Sequence, residues 1–282
     1  TSREACGNAV RNVTASPYTG ICSNELFDVT PYSQALSKFF LRNPVSQKLP
    51  RKFKPAFEGC QDHDHARTAM HDLGVIAAKR EQNGKVEYGF RVNVGGGLIS
   101  APRIATLLES YTPLQDLLLT SYAIVSVFDR LGERKNRMAA RIKFLVKKLG
   151  EDEFRKVVME EREKFRANPP MDFPKLPEPT VNVKAPENHT KQIVSEKPTD
   201  GGFERWRKTN VIPQKQAGYL FVTVRLIRGD MTGNQMHALA DIAEKFCGGD
   251  LRTTIDQNMV LRWVKQENIA AVYNALAQVD LN

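Results

Sequence analysis

Between Asn168 and Gln216 eight prolines interrupt the chain, and the apolar periodicity seen on either side disappears. Proline fixes φ and has no backbone N–H to donate, so a stretch this rich in it cannot carry a long helix or a central strand. The segment is expected to run extended over a surface, with Trp206 and the run Thr209–Pro213 anchoring its far end. It divides the 282 residues into folded parts at 1–168 and 217–282, joined by a linker at 169–216.

The first part reads as mixed helix and strand. Thr30-Pro31 is an N-cap followed by proline at the first helical position, and predicts a helix to about Arg42, before Pro44. Asn83-Gly84 joins two strand-like runs and is a strong hairpin signal. Thr112-Pro113 predicts the start of another helix. Residues 134–148 hold seven cations and no acid, and predict a helix with a solvated basic face; a charged helix over about 151–167 follows. The second part is regular. A strand over 218–227 leads to a helix capped by Thr232 with Gln235 three residues on, then two strands and a closing helix. That β-α-β-β-α order predicts a ferredoxin-like half domain with a parallel/antiparallel sheet. The fold class is α+β.

Bulk properties narrow the function. The charge of +9 favours an anionic partner. No apolar run is long enough for a membrane span, and the N-terminal residues hold no apolar core of a signal peptide. The four cysteines, Cys6, Cys22, Cys60 and Cys247, are scattered, which argues for a reducing compartment, expected to be cytoplasmic, and against a disulfide framework.

Four stretches carry candidate chemistry. In Leu49–Lys54, "LPRKFK", prolines flank three cations. Strand alternation puts Lys52 and Lys54 on one side, with Arg51 and Phe53 on the other. Two lysines converging on one side are tolerated either at a solvated sheet edge or where an anion neutralises them. Arg11 lies between Asn8 and Asn12, where a buried pair with a carboxylate is the alternative to an anion contact. Gly95, Gly96 and Gly97 follow a strand and would let backbone N–H groups approach an anion or a flat ligand closely; a plain turn explains them as well. The basic stretch 134–148 is the fourth. Cys60, His63, His65 and His71 have metal-binding side chains, but their spacing fits no familiar closed site, and no metal is expected there.

Taken in order, "ACGNAVRNVTASP", "LPRKFK", "VGGGL", "RKNRMAARIKFLV" and "NVIPQKQAGYLFVTVRL" with "LRTTIDQNMVLRWV" resemble the sirohaem-containing nitrite/sulfite reductases over nearly the whole chain. The resemblance implies a reductase taking sulfite to sulfide by six electrons, or nitrite to ammonia, with sirohaem and a 4Fe–4S cluster. It places Arg11, Lys52 and Lys54 among the cations that bind the substrate anion. It also places Arg51, Asn12, Gly95, Gly96 and Gly97 against the cofactor. Lys54 resembles the sulfite-type pattern, whereas some plant-type nitrite enzymes have Asn there.

The C-x5-C and C-x3-C cluster cysteines of that family are absent. So is the first ferredoxin-like half domain. The resemblance therefore implies an excerpt lacking that half domain and the cluster-bearing C-terminal domain, inactive by itself, with cluster ligands outside this chain. Its electron donor would be ferredoxin or a flavoprotein. An alternative of another class is a non-catalytic anion-binding fragment. Nucleic-acid binding through Tyr219, Phe221 and Trp263 lacks the signature such domains carry and is not expected.

Overall fold

The computed structural model describes residues 7–99, 101–186, 196–198 and 200–282, so Cys6 lies outside the described residues. The chain forms two compact units: the residues up to Gly20 with Asn24–Val181, and Ile21–Ser23 with Asn182–Asn282.

The first unit is built on a five-stranded mixed sheet. Its strands β1 (Thr14–Ala15), β2 (Pro55–Glu58), β3 (Leu73–Gln82), β4 (Lys85–Val94) and β5 (Thr106–Pro113) lie side by side in chain order. The first three run parallel and the last two pairings are antiparallel. Asn83 and Gly84 turn the β3–β4 hairpin with φ of 53° and 69°, the conformation that this dipeptide adopts at low cost. Strand β5 was not expected. Thr112 and Pro113 end that strand instead of opening a helix, and a 3₁₀ turn at Leu114–Asp116 precedes helix α2 (Leu117–Leu131).

Helix α1 spans Thr30–Phe40, with its proline in the first turn as expected. Its cap lies earlier than the sequence implied. The Asp28 carboxylate accepts the Thr30 N–H at 2.8 Å, and Thr30 is already helical. Phe27, Tyr32 and Phe90 pack edge to face in the core at 5.1–5.6 Å between ring centres. Such pairs add about 0.5–1.5 kcal/mol each beyond burial. The basic stretch is helical only in α3 (Ile142–Leu149), after a 3₁₀ turn at Arg137–Ala139. Helix α4 (Glu151–Ala167) follows, with acids in its first turn and bases in its last, as the helix dipole favours.

The start of the proline-rich stretch is extended and pinned to this unit. Leu176 enters the core, its backbone paired to the Gln115 amide at 2.9 and 3.0 Å, and the Tyr32 hydroxyl donates to Pro177 O at 2.9 Å.

In the second unit, helix α5 (Phe203–Asn210) occupies part of that stretch, and β6 (Val211–Pro213) adds an edge strand. Then come β7 (Tyr219–Val224), α6 (Gly233–Cys247), β8 (Leu251–Thr253), β9 (Met259–Lys265) and α7 (Ile269–Ala277). The order β-α-β-β-α is the expected one, with the Thr232–Gln235 capping box formed in both directions. The sheet runs β6-β7-β9-β8, and every pairing is antiparallel, because β9 separates β7 from β8. Phe221 and Trp263 are buried.

Candidate anion-binding site

The segment ahead of β2 is fixed on one side by an apolar anchor. Phe53 is fully buried against Phe128, and its backbone forms a parallel bridge with Val10. The Arg11 N–H donates to Phe53 O (2.8 Å) and the Phe53 N–H to Ala9 O (3.0 Å). With Phe53 committed inward, the period-2 alternation of extended backbone turns its neighbours Lys52 and Lys54 outward. Lys52 is half-buried and Lys54 exposed. Pro50 abuts Gly132 just past the end of α2. A Cβ at Gly132 would meet Pro50 Cγ at 2.5 Å and Phe128 O at 2.5 Å, so glycine is what allows the approach.

Five cations share this region. Burial pushes the Lys52 ammonium below the ordinary lysine range, and Arg141, Lys54, Arg11 and Arg51 push it down further by charge. The side chains of Arg51, Lys52 and Lys54 make no ion pair or hydrogen bond among the described residues. The Arg11 guanidinium donates to Gly7 O at 3.0 and 2.9 Å and pairs with no carboxylate among those residues. Asn12 is exposed. Among the described residues, Arg141 is the one of these five cations that forms an ion pair, with Asp72.

The acid that holds Arg141 and the Lys54 backbone is turned inward. Asp72, at the start of β3, is fully buried and is gripped by Arg141 Nε (3.0 Å) and Nη2 (2.8 Å to each oxygen). It also accepts the Lys54 N–H at 2.8 Å, and its own N–H returns to Lys54 O at 3.1 Å. Burial raises the Asp72 carboxyl against the pull of Arg141.

The glycine triplet adjoins the same acid, but its amides are engaged. Gly95, Gly96 and Gly97 donate to the carbonyls of Asp72, His71 and Arg103 at 3.0, 2.9 and 2.9 Å. Backbone acceptors thus already hold all three amides. What the triplet provides is close approach. A Cβ at Gly96 would meet Ala69 O at 2.5 Å and His71 O at 2.6 Å.

The inward roles of Arg141 and Lys143 were missed in the sequence. Lys143 is almost wholly buried and donates to Leu98 O (2.8 Å), Ile99 O (2.8 Å) and Ala101 O (3.0 Å), pinning the loop after the glycines. Arg141 is extended, at the cap of α3, so cations two apart flank the buried Ile142. For Arg141 the available signal was an acid, Asp72, heading the apolar run of β3.

Of the candidate metal side chains, Cys60 and His65 bring a thiol sulfur and a ring nitrogen within 4.8 Å of each other. His63 and His65 stack at 5.3 Å, His65 packs against Tyr18, and His71 Nδ1 lies 2.8 Å from Arg67 O. Burial lowers both His65 and His71 below the ordinary histidine range.

Comparison with known proteins agrees along the chain. Residues 6–166 match the model of the nitrite and sulphite reductase 4Fe-4S domain, and residues 212–279 that of the nitrite/sulfite reductase ferredoxin-like half domain. The chain is 29% identical over 282 residues to the chloroplastic ferredoxin–nitrite reductase of Spinacia oleracea, covering 97% of this chain and 42% of that protein. It is 28% identical over 278 residues to sulfite reductase (ferredoxin) 1 of Mycolicibacterium paratuberculosis, covering 99% and 44%. The structure of the Mycobacterium tuberculosis NirA protein superposes with a TM-score of 0.75 at 27% identity, covering 99% of this chain and 45% of that one. The chain thus spans less than half the length of these relatives.

Proposed function

Since the chain belongs to the nitrite and sulphite reductase family, we propose that it forms the anion-binding and sirohaem-facing part of a reductase acting on sulfite. The observation that carries this is the convergence of Arg11, Arg51, Lys52, Lys54 and Arg141, of which, among the described residues, only Arg141 is paired with an acid, the buried Asp72. Such a surface suits a dianion and a carboxylate-rich macrocycle together.

The residues fit sirohaem and do not fit the cluster. Arg51 would face the macrocycle's carboxylates, with Asn12 and the close-packed glycine turn beside it. When bound, sirohaem would supply the electrons to the substrate. Of the cysteines, Cys60 and Cys247 are buried in separate units, and burial raises the Cys247 thiol, the reverse of what a thiolate ligand needs. No step is therefore assigned to a cluster held by this chain.

Arg11, Lys52 and Lys54 act on the anion. Their N–H groups hold the sulfite oxygens and stabilise negative charge as S–O bonds break. The lysine ammoniums are the nearest proton donors for the oxygens that leave as water. Lys54 supports sulfite over nitrite, because an additional ammonium favours the more highly charged anion. Nitrite is the second reading, favoured by relatives that are named nitrite reductases.

The test uses a protein of the relatives' full length that contains this chain. Lys52→Ala and Lys54→Ala are each expected to lower sulfite turnover by at least about 10²-fold while the sirohaem absorbance is retained. Wild-type turnover of both sulfite and nitrite in either variant would refute the assignment.

A further inference from the structure

Asp72 is fully buried, touches no solvent, and sits where three parts of the first unit meet. Its carboxylate takes the Lys54 N–H and a two-point grip from Arg141, and its carbonyl takes the Gly95 N–H at 3.0 Å. Its N–H closes a reciprocal pair with Lys54 O. One side chain therefore sets the height of the lysine strand and the direction of Arg141, while its backbone fixes the start of the glycine turn. It reaches the cations through their backbone and through a neighbour, from beneath.

We propose that Asp72 is a positioning residue for the anion site: it holds Lys52, Lys54 and Arg141 in one converging arrangement without touching the anion itself. This rests on the reading of the cation cluster as an anion site. Like charges this close repel one another, so a flexible segment would let Lys52 and Lys54 swing apart into solvent. Phe53 restrains the strand from the core side, and Asp72 restrains it laterally at the residue that follows. A planar fork held at Nε and Nη2 leaves the Arg141 guanidinium no freedom to rotate about its Cδ–Nε axis, which preorganises a cation that would otherwise pay rotamer entropy on binding.

The charge of Asp72 and its positioning role predict opposite signs. As a charge alone, a carboxylate beneath the site repels an anion, so Asp72→Asn would tighten binding. As a positioning group, its loss weakens binding even though the site becomes more positive. An amide also cannot accept the Arg141 fork at both oxygens.

The experiment is a sulfite titration of the chain as it stands, read from the amide and ammonium resonances of Lys52 and Lys54, with melting curves confirming that each variant is folded. Asp72→Asn and Arg141→Lys are each expected to weaken sulfite binding by roughly tenfold, the order expected when hydrogen bonds to a charged group are lost. A folded Asp72→Asn that binds sulfite as tightly as wild type, or more tightly, overturns the proposal. If Asp72→Asn does not fold, Arg141→Lys decides, and unchanged affinity there overturns it equally. Lys52→Ala separates the two readings. If wild type shows no sulfite response and Lys52→Ala is indistinguishable from it, the anion site itself is wrong and this inference falls with it.

Discussion

At Lys52 burial and four neighbouring cations act in the same direction, lowering the pKa below the ordinary lysine range. The folded chain then binds fewer protons than the unfolded chain between the lowered and the ordinary value. Lys52 accordingly opposes folding below that window, and stability rises with pH across it. Anion binding follows the opposite course, since it needs the ammonium. Sulfite affinity is expected to fall as pH rises through the depressed Lys52 value, earlier than an ordinary lysine would allow, and binding near that pH should take up protons. Affinity that stays flat until the ordinary lysine range would contradict this. The alternation of Arg51, Lys52, Phe53 and Lys54 was readable at this scale, since it needs only extended backbone and one buried ring. Lys143 was not readable. A cation on a helix defaults to solvent, and only the fold brings the carbonyls of Leu98, Ile99 and Ala101 round to it, the last two residues at φ of 48° and 62°.

Among the elements, the glycine turn after β4 illustrates how a local signal can be right and its reason wrong. Three consecutive glycines indicated close approach, and the approach is real, but it is to the 69–72 backbone and to α3. Gly96→Ala would drive a Cβ against two carbonyl oxygens that cannot swing away. It is expected to cost about 1–3 kcal/mol, measurable as a lower midpoint in urea with little change of slope. A full wild-type midpoint would mean that the turn relaxes freely. The Asn83-Gly84 hairpin and the Thr232 capping box were legible because their signals are complete within a few residues. Strand β5 was not. Its burial is irregular, with Leu107 partly exposed and Leu108 buried, and its pairing with β4 shifts register at Val92. The all-antiparallel second sheet was equally hidden, since strand order is decided by pairing across the chain and not by any one strand's pattern.

For the whole molecule, the described residues form two separate apolar cores. The division falls at Val181–Asn182, inside the proline-rich stretch, because Leu176 and Pro177 are tied down to the first core. Lys184 is exposed just beyond that point, outside any helix or strand. Brief trypsin treatment should therefore cut after Lys184 ahead of the lysines and arginines in the helices, leaving each piece with a cooperative melt. Early cleavage within α3 or α4 instead would show that the first unit opens more readily than the junction. No described helix is long and apolar enough to cross a membrane. The placement of the tryptophans has an optical consequence. The chain has only Trp206 and Trp263, both buried and both in the second unit. Indole emission is thus a reporter for one half alone: its red shift on denaturation would record the ferredoxin-like fold opening while the cation-bearing half stays dark.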